Sequence, residues 1–159
     1  SIDFTGTDKM TVWAGVTKLT GGIRQPVTEF VGYSVIGGFG LYAAPSGAAD
    51  QIQAYSAGTA PVSTYATGVN APASFVHSLV ADIAANNIAQ RVNGVQVSNS
   101  LSSQGVGTYG NNILSLGAGV SGAYFFNGRL YSLIVRGAAT PLPQIEAVET
   151  LIRQKMRLP

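Results

Sequence analysis

Hydrophobic and polar residues along this chain alternate with a period of two over most of its length, the period of strands buried on one face. Met10, Val12, Ala14 and Val16 fall on one side of a segment whose other side carries Thr11, Trp13, Gly15 and Thr17. Val27 to Ile36 predicts a second strand, with Val27, Phe30, Val31, Tyr33, Val35 and Ile36, closed by Gly37-Gly38. Phe39 to Ala43 predicts a third, ended by Pro45-Ser46-Gly47. Gln51 to Tyr55 sets Ile52 and Ala54 against Gln51, Gln53 and Tyr55. Residues 56–72, rich in Ala, Thr, Gly, Ser and Pro, predict a surface loop with a short edge strand. Ser74 to Ile83 then opposes Phe75, His77, Leu79 and Ala81 to Val76, Ser78, Val80 and Asp82.

Turn chemistry divides the second half. Asn86-Asn87 marks a turn, and Asn93-Gly94 joins Ile88–Val92 to Val95–Val97, the strongest short hairpin signal a sequence offers. Ser98 to Asn112 is a polar, glycine-dotted loop, and connections of that length are usually functional or mobile. Ile113 to Gly117 is a short strand. A second Asn-Gly, Asn127-Gly128, leads into Gly128–Arg136, a β-branched and aromatic run suited to crossing the middle of a sheet. The period then changes: Ile145, Val148, Ile152 and Met156 fall at helical spacing behind Pro141 and Pro143. Glu146 and Glu149 read as solvated charge early in that helix, with Arg153 and Lys155 late, which complements the dipole. The prediction is an all-β fold: a two-sheet antiparallel sandwich in one domain over 1–159, with one short helix near 142–156. The opening Ser1-Ile2-Asp3-Phe4-Thr5-Gly6 reads as the start of a strand, compatible with a piece of a longer chain.

Composition narrows the function classes. Charged residues are 10% of the 159, against roughly 25% in ordinary soluble domains. Twenty glycines, with Ala, Ser, Thr and Asn, take their place. A net charge of +2 argues against a nucleic-acid partner. The absence of cysteine excludes disulfides, thiolate metal sites and a cysteine nucleophile. No apolar run approaches the ~20 residues that a membrane-spanning helix needs.

Three segments carry a resemblance. Phe4-Thr5-Gly6-Thr7-Asp8-Lys9-Met10-Thr11-Val12-Trp13-Ala14-Gly15-Val16 looks like an opening strand, Arg91-Val92-Asn93-Gly94-Val95 like the hairpin before a polar loop, and Phe126-Asn127-Gly128-Arg129-Leu130-Tyr131-Ser132-Leu133-Ile134-Val135 like the last strand. With the terminal helix, the pattern resembles the concanavalin A-like jelly roll, specifically the laminin G-like branch found in phage virion proteins. The resemblance implies a virion location, on a tail or other appendage, or otherwise an extracellular one. It implies host-surface carbohydrate and other virion subunits as partners, and a homo-oligomer, plausibly a trimer. Fold alone does not settle function.

Candidate chemistry is sparse. His77, the single histidine, shares a face with Phe75 and Leu79 and reads as structural; no Gly-x-Ser-x-Gly elbow accompanies it. With one histidine and no cysteine, the residues argue against a zinc site. Glycoside hydrolysis needs two carboxylates about 5 to 9.5 Å apart. The closest in sequence, Glu146 and Glu149, lie on the helix, and Asp82 meeting Asp50 or Glu29 across strands is the remaining route. No cofactor is expected. Calcium is the one metal with candidate oxygen donors, Asp50, Asp82, Asn86, Asn87, Asn111 and Asn112, and turn chemistry accounts better for the asparagines. Gly105-Val106-Gly107 and Gly117-Ala118-Gly119 lack the following helix and lysine of a phosphate cradle and read as turns. Sugar binding by an uncharged surface combines an aromatic face with amide and hydroxyl partners. Trp13, mid-strand, reads as packed inside or beneath a loop, leaving Tyr55, Tyr65 and Tyr109, with Asn111 and Asn112 beside Tyr109, as the expected ligand residues. The leading expectation is a non-enzymatic adhesion domain that binds glycan through sandwich loops. The second is an assembly or capsid-decoration module binding only protein, with Phe39, Tyr42 or Tyr124 in a subunit interface. The third is a polysaccharide-degrading hydrolase using Asp82.

Overall fold

The period-two segments pair, in a computed structural model that describes residues 1–158, into two five-stranded antiparallel sheets. The first contains β3 (Gln25–Phe30), β4 (Phe39–Ala44), β5 (Ile52–Ala57), β6 (Pro61–Ala66) and β11 (Leu114–Leu116), in the order β11-β3-β4-β5-β6. The second contains β2 (Lys9–Lys18), β7 (Ala73–Asp82), β8 (Asn87–Val92), β9 (Val95–Ser100) and β12 (Gly128–Arg136), in the order β12-β2-β7-β8-β9. A two-residue ribbon of β1 (Ile2–Asp3) with β10 (Asn111–Asn112) closes one end.

The alternation decides which side chains meet between the sheets. Met10, Val12, Ala14 and Val16 pack there against Phe30, Phe39, Leu41, Ile52, Phe75 and Leu79, all buried. Phe30 and Phe39 stack at 5.0 Å, and Phe4 meets Phe30 edge-on. The fold is the sandwich expected, with the helix α1 (Leu142–Met156) at its end in sequence. The Asn93-Gly94 hairpin also holds: both residues have positive φ, 50° and 91°, the mirror-image turn whose twist suits antiparallel strands.

Helix α1 lies on the outer face of the second sheet, where Trp13 and Val76 pack with Ile145 and Ile152. Trp13 is therefore buried beneath the helix. Gly15 permits the close approach: a Cβ there would stand 2.5 Å from Ile152 Cγ2. Glu149 is not the solvated charge expected from its position. It is buried, receiving Arg91 Nε at 2.9 Å and Nη2 at 3.1 Å, so a bidentate ion pair fixes the helix to β8.

Three other expectations change. The strand expected over Val27–Ile36 ends at Phe30, because Val31 and Ser34 turn with φ of 71° and 60°, and Val35 and Ile36 face solvent. Gly128–Arg136 forms an edge strand, not a central one; β2 is its sole neighbour in the sheet, and Leu130, Tyr131 and Ile134 are partly exposed. The polar stretch after β9 is tied down. Gln104, fully buried, donates from its side-chain amide to the carbonyls of Asp82 and Asn87, and its main-chain carbonyl accepts the N–H groups of Gly58 and Ala60.

Candidate functional site

The outer face of the first sheet carries the polar and aromatic residues left over by the core. Cross-strand register sets Tyr42 beside Gln53 and Gln53 beside Tyr65, while the next row sets Gly40, Tyr55 and Ser63 side by side. The turn after β3 brings Tyr33 over these rows, edge-on to Tyr42 at 5.6 Å and tilted against Tyr55 at 5.6 Å. Gly40 leaves room for the Tyr42 ring to lean across it, since a Cβ there would lie 3.0 Å from the Tyr42 hydroxyl. That hydroxyl donates to Glu29 Oε2 at 2.8 Å, and the Val120 N–H donates to Glu29 Oε1 at 3.0 Å. Burial, and then the Glu29 carboxylate, push the Tyr42 phenol far above its ordinary range; burial does the same to Tyr55.

A recess of about 220 Å³ opens beside this cluster, lined by Arg24, Tyr33, Pro45, Gln51, Gln53 and Tyr65 among others. Gln53 is its hydrogen-bonding centre. Its Nε2 lies 3.0 Å from the Tyr33 hydroxyl, 2.9 Å from that of Ser63 and 3.1 Å from that of Tyr65. Two amide hydrogens face three oxygens, and the hydroxyls also hydrogen-bond one another, Tyr33 with Tyr65 and Ser63. Burial pushes the Tyr33 phenol up, but the surrounding hydrogen bonds, Gln53 foremost, outweigh it and hold the group below its usual range. Tyr65 is 45% exposed and presents its ring at the rim. Arg24 enters from before β3, its guanidinium carbon 4.8 Å from the Tyr33 ring centroid and 4.2 Å from that of Tyr124. Tyr124 reaches it from a left-handed backbone, φ 61°, an uncommon conformation for a tyrosine.

The expected ligand residues are thus divided. Tyr65 lines the recess. Tyr55 is fully buried beneath it, its hydroxyl donating to the Gly32 carbonyl, and supports the site from below. Tyr109 is buried in the core, edge-on to Phe39 and hydrogen-bonded to Ser56 at 2.7 Å, so its ring offers no face to a ligand. Asn111 and Asn112 lie in the small terminal ribbon paired with Asp3 and Ile2. Phe39 and Tyr42 are buried within this chain and form no subunit interface, whereas Tyr124 is 48% exposed. Arg24, Tyr33, Gln53 and Ser63 were not expected. Gln53 belonged to a period-two segment and Tyr65 to the stretch read as a loop with a short edge strand, and pairing that edge strand antiparallel to the segment is the signal that would have joined them.

Asp8 and Asp82 are occupied. Lys9 Nζ bridges Asp8 at 3.1 Å and Asp82 at 3.3 Å, and Asp82 also caps the turn at Ala85. Asn86 accepts the Gln104 N–H. Among the described residues no group of three or more His, Asp or Glu side chains converges. His77 is fully buried, with Nε2 at 3.0 Å from Gln90 Nε2, and burial pushes its pKa down to about 3.

No protein-family model and no curated protein matches the chain. Solved structures do. The carbohydrate-binding module CBM40 of the Ruminococcus gnavus IT-sialidase, solved with α2,3 sialyllactose, is 17% identical, with 90% of this chain covering 83% of that one at a TM-score of 0.67. A heptameric SAP-like pentraxin from Limulus polyphemus is 12% identical over 93% of this chain and 71% of its own, at a TM-score of 0.68. The binding domain of botulinum neurotoxin DC, solved with SialylT, is 6% identical over 93% of this chain and 36% of its own, at 0.64. At these identities the likeness is one of fold: a concanavalin A-like jelly-roll sandwich.

Proposed function

We propose that this domain is a non-enzymatic carbohydrate-binding module of a phage particle, holding it to host-surface glycan through the recess on the outer face of the first sheet. The observation that carries this reading is the convergence of the half-exposed Tyr65 ring with the Gln53 amide and the Tyr33 hydroxyl in a depression of about 220 Å³, with the Ser63 hydroxyl holding the amide from beside it. An aromatic face covers the apolar side of a pyranose ring, and amides and hydroxyls replace the water that its own hydroxyls lose. The volume is below that of drug-sized pockets and suits one terminal sugar unit. Similar structures solved with sialyllactose and SialylT support a sugar ligand. The laminin G-like pattern of the three sequence segments supports the virion location. Capture is favoured over hydrolysis because Asp8 and Asp82 share Lys9, Glu29 serves Tyr42, and Glu149 serves Arg91. A single small site binds weakly, so a trimeric appendage would act through avidity.

The test is a glycan array probed with the protein displayed multivalently, wild type against Tyr65→Ala. Wild type retains one or more glycans, and the variant, folded by circular dichroism, loses at least tenfold. Absence of retained glycan ends the reading. A protein-only assembly role has one observation in its favour: β9 is an edge strand without a charged residue, and Val95 and Val97 on it are 63% and 44% exposed. That reading requires a stable oligomer in light scattering that Val97→Lys dissociates.

A further inference from the structure

We infer that the recess selects sugars bearing a carboxylate, and that Arg24 is the residue that reads it; this rests on the carbohydrate reading of the same recess. Arg24 is held by two aromatic rings and by nothing else that the structure shows. Among the described residues its guanidinium has no hydrogen-bond acceptor and no carboxylate within ion-pair distance, and its Nε is buried without a partner. A guanidinium carries five N–H donors in a rigid plane, and leaving a buried donor unmatched costs free energy. The two tyrosine contacts limit the motion of that plane, so little rotamer freedom is lost when a planar, bidentate acceptor arrives.

The other carboxylates do not fill this role. Glu29, on the same face, is served by the Tyr42 hydroxyl at 2.8 Å and the Val120 N–H at 3.0 Å. Glu149 belongs to Arg91, and Asp8 and Asp82 to Lys9. No carboxylate lines the recess; its lining side chains are one cation, two tyrosines, two glutamines, a serine and a proline. Sites for neutral sugars need strong acceptors for the ring hydroxyls as well as donors. This one holds a cation and no carboxylate, and its Arg24 guanidinium is a pure donor, which matches an acid group in the ligand. A uronic acid and a sialic acid present the same chemistry here.

The experiment uses the whole chain displayed multivalently, titrated with an oligogalacturonide and with 3′-sialyllactose, each against its own methyl ester, and with lactose. The inference expects one or both acids to bind at least tenfold more tightly than the matching ester, the better arm identifying the source. Arg24→Gln should remove that difference while Arg24→Lys restores only part of it, since lysine supplies charge without the fork. Equal binding of acid and ester to the wild-type protein overturns the inference. If lactose or the esters bind as well as the acids and Tyr65→Ala abolishes them, the carbohydrate reading stands without this one. If no sugar binds, both fall. Should Arg24→Gln fail to fold, the acid-against-ester comparison on the unaltered protein still decides.

Discussion

The buried histidine makes the stability of this domain depend on pH in a way that can be worked out in advance. His77 is 0% exposed, and burial lowers its pKa from 6.5 to about 3. The unfolded chain takes up a proton near pH 6.5 and the folded chain does not, so below that pH the unfolded state gains. The stabilisation is fully present above about pH 6.5 and is lost as pH falls toward 3, where the folded protein begins to protonate as well. One pKa unit corresponds to about 1.4 kcal/mol, so at pH 4.5 the loss is about 2.7 kcal/mol. Against the ~5–15 kcal/mol of a typical domain, that is a visible fraction. The assay is urea unfolding at pH 7.5, 5.5 and 4.5, on the wild type and on His77→Gln. Glutamine keeps an acceptor for the Gln90 amide and does not titrate. Carboxylates lose stabilisation equally in both proteins and cancel in the difference, which should shrink by about 2.7 kcal/mol between pH 7.5 and 4.5. Because the chain has one histidine, proton NMR of its imidazole gives an independent reading. Parallel loss of stability in the two proteins, or an imidazole that titrates near pH 6 in the folded state, would refute the burial argument.

Three further outcomes test the packing. Glu149→Ala removes the buried carboxylate of the pair and leaves the Arg91 guanidinium only the half-exposed Glu146 at 3.5 Å, and the expected cost is about 3–5 kcal/mol in urea unfolding, far more than an exposed helix glutamate should show. Gly15→Ala drives a Cβ into Ile152 and Met156, so the helix must shift; a loss of about 1–3 kcal/mol and a red shift of the single tryptophan's emission, as Trp13 meets water, should appear together. Tyr109→Phe removes the hydroxyl paired with Ser56 in the core and should cost about 1–2 kcal/mol by thermal or urea unfolding, with glycan retention unchanged.

Local patterning determined which segments are strands and which residues of each face inward. The alternation at Met10–Val16, Ile52–Ala54 and Phe75–Ala81 is a property of consecutive residues, and burying one face of each leaves few arrangements besides a sandwich. The Asn93-Gly94 turn and the helical spacing of Ile145, Val148 and Ile152 were equally local, because turn and helix geometry involve residues a few places apart. The tertiary structure decided what lies far apart in sequence. Arg91 and Glu149 are 58 residues apart, and nothing near Glu149 foretells that a guanidinium from another element will bury it. Tyr109 sits in a polar, glycine-containing stretch, which looks like a surface loop until the chain returns it between the sheets. The recess follows the same logic. Gln53 and Tyr65 become neighbours through strand register, Tyr33 joins them because the backbone turns after Phe30, and Arg24 and Tyr124 meet across about a hundred residues of chain. Periodicity reports the environment each side chain needs. Which particular side chains share that environment depends on how the sheets stack and the loops cross, and that is a property of the whole fold.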